Sequence, residues 1–256
     1  MQTAGDIGHE DVIRVVGTVE LRPEGAFNED IETGEIEIKA ATIDILADAE
    51  LAQLGHPLLN PETAVRNDVE VGPPGSLLLV TGSNMSGKST LLRALGANVV
   101  LAGAGGPVCA ASMRLPTVDL RTSMRIRDSL EEGISYFMAE LQRLKSVAEA
   151  AGAAQDVPVL YLLDELLQGT NTAERQIAAR RILHHLLDQH AIGAVTTHDL
   201  TLADAEDLKE RAVLVHFRES LETLKGGPPI DFDYRLRPGL ATSTNALRLM
   251  EIMGLA

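Results

Sequence analysis

Tryptophan is absent from this 256-residue sequence, aromatic residues make up only 3%, and cysteine occurs once, as Cys109. A single thiol excludes an intrachain disulfide and agrees with a reducing compartment. The shortage of rings argues against an aromatic platform for single-stranded nucleic acid. It also leaves the interior to Ala, Leu, Val and Ile, within a composition that is 45% hydrophobic. Bases are scarce too: 22 Lys and Arg stand against 37 Asp and Glu, for a net charge of −15, which argues against broad attraction to phosphate backbones. The longest uncharged run, 94–113, is interrupted by Gly96, Asn98, Gly103, Gly105, Gly106 and Pro107, and so reads as a buried helix with its loop rather than a membrane span. The first residues are polar and acidic, unlike a secretory leader, and a soluble cytoplasmic protein without membrane contact is expected. His184 and His185 are neighbours on a predicted helix and point to different sides, which does not suit a zinc site.

What the sequence does contain is a phosphate-binding loop. Gly82-Ser83-Asn84-Met85-Ser86-Gly87-Lys88-Ser89-Thr90 has the G-x-x-x-x-G-K-S spacing, after the apolar run Ser76 to Val80 and before Leu91-Leu92-Arg93-Ala94-Leu95. Strand, glycine loop and helix in that order are the context the motif requires. Gly82 and Gly87 let successive N–H groups converge on phosphate oxygens at a helix N-terminus, Lys88 adds a point charge, and the Ser89 hydroxyl is a Mg²⁺ ligand. A nucleoside triphosphate with Mg²⁺ is the expected cofactor.

Val157 to Glu165 is a second apolar strand, ending in adjacent acids. Asp164 is placed to hold the metal and Glu165 to polarise an attacking water. A third strand, Ala191 to Thr197, ends at His198, where an imidazole can sense a γ-phosphate. Between the first two motifs, Gly133-Ile134-Ser135 enters an amphipathic helix. This is a further anion site, which one nucleotide does not need twice, so Ser135 is assigned to the nucleotide of a second subunit. Arg180-Arg181, Arg121, Arg125 and Arg127 read as solvated faces, and 208–221 reads as one more strand.

With these motifs in place, roughly residues 51–256 resemble the C-terminal ATPase domain of the MutS family of DNA mismatch-repair proteins. The matching segments are Thr81 to Thr90, Asp128 to Leu141, Leu163-Asp164-Glu165 with Gln168 to Thr172, Thr197-His198, and the ending from Pro238 to Ala256. The resemblance implies a three-layer P-loop fold of the ABC-type ATPase class, ATP as the triphosphate, and an ATPase whose homodimer is closed by ATP. It also implies an adenine held between the segment around Val65 and the ring of Tyr234. Ser83 and Ser86 stand where the family usually has Pro and Gly, and neither a Phe-x-Glu reading wedge nor a lever or clamp is found. DNA contact is therefore expected through a partner or missing domains.

Residues 11–21 and 35–46 alternate apolar and polar side chains, the pattern of two half-buried antiparallel strands. Over about residues 10–47 they resemble part of the anticodon-binding OB domain of bacterial aspartyl-tRNA synthetases. Residues 1–50 hold 13 acids and 3 bases, so a structural ribbon is favoured over tRNA binding. The expected organisation is an acidic β ribbon over 1–50 and an ATPase domain over 51–256. Two alternative functions are carried: a nucleotide-dependent interaction module with little turnover, and tRNA binding through the N-terminal strands.

Overall fold

A computed structural model describes residues 13–23, 25, 33–45, 49–124, 136–153, 157–167, 172–203, 206–220 and 231–241. Along the chain these form β1 (Ile13–Leu21), β2 (Ile36–Ile45), β3 (Ala49–Leu54), β4 (Asn67–Val71), β5 (Leu77–Thr81), α1 (Lys88–Gly103), β6 (Ser112–Arg114), β7 (Asp119–Ser123) and α2 (Tyr136–Ala153). There follow β8 (Val159–Asp164), α3 (Thr172–Asp188), β9 (Ile192–Thr197), α4 (Leu200–Ala203), α5 (Glu206–Lys209), β10 (Ala212–His216), β11 (Glu219–Ser220), β12 (Asp231–Phe232) and β13 (Arg237–Pro238).

The central sheet has the order β13-β10-β5-β9-β8-β7. Its pairs from β10 to β7 are parallel, and only the edge strand β13 runs antiparallel. Strands buried on both faces need apolar side chains at every position, as in the fully buried Leu77–Thr81 and Ile192–Thr197. Alternate residues divide between two cores. Leu77, Leu79, Tyr161, Leu163 and Val195 pack with Leu144 and Val147 of α2 and Leu183, Leu186 and Leu187 of α3. Leu78, Val80, Leu160, Leu162 and Ala194 pack with Leu91, Leu92 and Leu95 of α1 and with Leu51, Leu54, Val69 and Val71 of the small antiparallel sheet β4-β3-β6. Each such leucine contributes about 1.5–3 kcal/mol by leaving water.

Two close approaches depend on glycine. A Cβ on Gly96 would lie 3.1 Å from Leu162 Cδ1, so α1 rests directly on β8. A Cβ on Gly193 would collide with the ring and carbonyl of the fully buried Tyr161. Asn98, also buried, donates to the carbonyls of Ala94 at 2.7 Å and Gly55 at 3.0 Å and accepts from Cys109 N at 2.5 Å, tying two loops to α1.

The N-terminal strands pair antiparallel as expected, with Val19 opposite Ile38 and Leu21 opposite Ile36, but the expected half-buried face is corrected: Val19, Leu21 and Ile36 are exposed, because no other described element packs over them. Next to the expected boundary between 50 and 51, β3 begins at Ala49, which is fully buried in the α1-side core. The strand expected over 208–221 is a correction. Leu208 belongs to the short helix α5, and the stretch holds two separate strands, Ala212–His216 and the two-residue Glu219–Ser220, since short apolar runs do not by themselves distinguish strand from helix. No helix among the described residues is long and apolar enough to cross a membrane.

Candidate nucleotide-binding site

The three motif-bearing strands end level with one another: Thr81 pairs with Thr197 and Asp164 with Thr196. Ligands of open parallel sheets bind beyond these carboxyl ends. A cleft of about 610 Å³ opens here, lined among others by Asn84, Met85, Gly87, Lys88, Ser89, Thr90, Asp164, Glu165, Val65 and Tyr234.

The loop leaving β5 needs both its glycines. Gly82 has φ 142° and Gly87 φ 109°. A Cβ would come within 2.9 Å of Ser86 Oγ at the first and 3.3 Å of the Tyr234 ring at the second. Gly87 caps α1 with no side-chain hydrogen bond, which leaves the first helical N–H groups for an anion. Lys88 is only 4% exposed. Its Nζ donates to the carbonyls of Gly82 and Ser83, both at 2.9 Å, and lies 3.6 Å from Glu165 Oε1.

The acids are held from β9. Thr196 Oγ1 donates to Asp164 Oδ1 at 2.6 Å, and Ser89 Oγ donates to the same oxygen at 2.9 Å. Glu165 N donates to Thr196 at 3.1 Å to Oγ1 and 3.2 Å to the carbonyl. Glu165 and Leu167 both have left-handed backbones, with φ 54° and 58°, a conformation that costs an L-residue about 1–2 kcal/mol. His198 Nδ1 stands 3.6 Å from Glu165 Oε1. Its neighbour Asp199 accepts from Gln176 of α3 at 2.9 Å and from Thr201 Oγ1 at 2.6 Å. Burial raises the Asp199 pKa, yet these bonds, helped by Arg175, leave it below the ordinary carboxylate value.

The far end of the cleft carries Tyr234, whose ring stacks on Phe232 with centroids 5.9 Å apart. Asn67 donates to the Tyr234 carbonyl at 3.0 Å and accepts from Leu236 N at 2.7 Å, clamping the segment on both sides of the ring.

Comparison with protein families matches MutS domain V to residues 78–256. The chain belongs to the MutS family. It is 35% identical over 196 residues to "DNA mismatch repair protein MutS 2" of Halobacterium salinarum, covering 74% of this chain and 21% of that protein. Similarity to "DNA mismatch repair protein MSH6" of Arabidopsis thaliana is 30% over 228 residues, 85% of this chain and 17% of the relative. "Endonuclease MutS2" of Thermomicrobium roseum is 33% identical over 209 residues, 78% of this chain and 24% of the relative. The chain thus spans about a fifth of the length of these MutS relatives.

In this MutS domain V, the structure gathers most of the residues singled out from sequence. Gly82, Ser83, Ser86 and His198 are not among those lining the cleft. Gly82 and Ser83 act on Lys88 through their carbonyls, the Ser86 hydroxyl is buried without a hydrogen-bond partner, and His198 stands beside Glu165. Ser135 lies outside the described residues. Sequence reasoning missed Thr196, Asn67 and Phe217. Thr196 was signalled by its place two residues before His198. Phe217 carried no signal, because only the pairing of β10 with β5 brings its backbone to Thr81 at 3.0 Å and its side chain under the loop glycines.

Proposed function

We propose that this chain binds ATP with Mg²⁺ in the cleft and hydrolyses it, as the ATPase module of a MutS-like protein in DNA mismatch repair or related DNA handling. The observation that carries this reading is the convergence of Lys88, Ser89, Asp164 and Glu165 at one end of a cleft whose other end holds Val65 and Tyr234. The Ser89 hydroxyl and the Asp164 carboxylate form a hard oxygen pair 2.9 Å apart, the donor chemistry that suits Mg²⁺. When bound, the ion neutralises phosphate charge. Lys88 turns from the loop carbonyls toward the β- and γ-phosphates, and the loop amides receive the phosphoryl oxygens. Glu165 orients the attacking water and accepts its proton, while His198 faces the γ-phosphate. Val65 and Tyr234 hold the adenine between them.

In this reading ATP closes a homodimer, each subunit lending Ser135 to the other's nucleotide, and contact with DNA comes through partners or further domains. The net charge of −15 supports that division of labour. The test is steady-state phosphate release from Mg-ATP across a range of protein concentrations, with and without duplex DNA. Saturable release whose specific rate rises with concentration supports the reading. Saturable ATP binding without release supports an interaction module instead.

A further inference from the structure

Glu140 is a carboxylic acid only 2% exposed, on α2 beside Leu144 and Val147, which carry that helix's packing. Its Oε1 accepts a hydrogen bond from the backbone N–H of Leu167 at 2.5 Å. Leu167 closes the turn that begins at Glu165, and both residues have left-handed backbones. Such conformations persist only where the surroundings over-determine them. At the Glu165 end the anchor is Thr196, through its hydroxyl at 3.1 Å and its carbonyl at 3.2 Å. The Leu167 end is anchored by its own fully buried side chain and by Glu140.

We infer that Glu140 is a positioning residue for hydrolysis. By holding the Leu167 amide it fixes the turn 165–167, so that the Glu165 carboxylate stays 3.6 Å from both Lys88 Nζ and His198 Nδ1. Glu140 is not among the residues that line the cleft, and it reaches the site through the Leu167 amide of the turn. This inference rests on the proposed role of Glu165 in ATP hydrolysis. Without the Glu140 acceptor the Leu167 N–H is buried and unsatisfied, and the turn relaxes toward ordinary right-handed geometry. The loop around the phosphates, anchored on β5 and α1, is untouched.

The experiment compares the full chain with Glu140→Leu and Glu140→Gln, measuring ATP affinity by calorimetry, kcat and KM by phosphate release, and hydrogen exchange at Leu167. Glu140→Leu is expected to lower kcat about tenfold or more while ATP affinity stays within about twofold, and to speed exchange at Leu167. Glu140→Gln keeps an acceptor oxygen and should retain kcat within about threefold. Parental kcat or unchanged Leu167 exchange in Glu140→Leu overturns the inference. So does a joint fall of affinity and kcat in both variants, which marks a general structural role. If the unsubstituted chain releases no phosphate, the hydrolysis reading fails and the inference falls with it. A failure of Glu140 alone instead leaves the unsubstituted chain active.

Discussion

Ser89 and Asp164, 75 positions apart in the chain, meet at 2.9 Å between the start of α1 and the end of β8. The same carboxylate oxygen is held by Thr196 at 2.6 Å, so the two oxygens proposed to ligate Mg²⁺ are held together by the protein's own hydrogen bonds. Ser89→Ala and Asp164→Asn should therefore weaken ATP binding about tenfold or more in the presence of Mg²⁺ and much less in its absence. Calorimetric titrations with Mg²⁺ and with a chelator check this. Equal losses under both conditions would contradict a metal role.

Tyr234 lies over Gly87 and is itself held by Asn67. Tyr234→Ala should reduce ATP affinity by about 1–3 kcal/mol and weaken the preference for ATP over other triphosphates, by analogy with the loss of a base-stacking ring. Asn67→Ala removes two hydrogen bonds at once, each worth about 0.5–1.5 kcal/mol, and should produce a smaller loss of the same kind. Competition between ATP, GTP and CTP for a fluorescent nucleotide measures both. Unchanged affinity and selectivity in Tyr234→Ala rule out the platform.

Gly193 faces Tyr161 with no room for a methyl group. Gly193→Ala should lower stability by about 1–3 kcal/mol through overpacking where β8 and β9 pair. Urea unfolding followed by circular dichroism reports the shift, and a midpoint equal to that of the unsubstituted chain contradicts the packing account.

How much of this was legible in the sequence depends on how local each determinant is. The phosphate loop, the strand ending in Asp164-Glu165 and the strand before His198 are contiguous patterns, and the structure places all three at one sheet edge. The alternation in β1 and β2 specified their antiparallel pairing for the same reason. By contrast, Asn67 reaches Tyr234 across 167 positions, and Phe217 meets the glycine loop only because β10 pairs with β5. Glu140 reads in sequence as one polar residue of an amphipathic helix, and its burial against Leu167 follows from how α2 docks on β8. Those relations arise from tertiary packing, which no window of sequence contains.

The shared-site reading assigns Ser135 to the partner's nucleotide, so subunits damaged in different halves should complement. Lys88→Ala and Ser135→Ala should each be inactive alone, and mixing them should restore one working site in each heterodimer. Phosphate release from mixtures whose heterodimers are verified by mass photometry decides the point. No recovered release in verified heterodimers would contradict a shared site.

The central claim is that Glu165 turns a bound nucleotide into a hydrolysed one, and the single most direct measurement sets ATP affinity against phosphate release in Glu165→Gln. The account predicts Mg-ATP affinity within about threefold of the unsubstituted chain, with release slowed about 100-fold or more. Parental phosphate release from Glu165→Gln would contradict it.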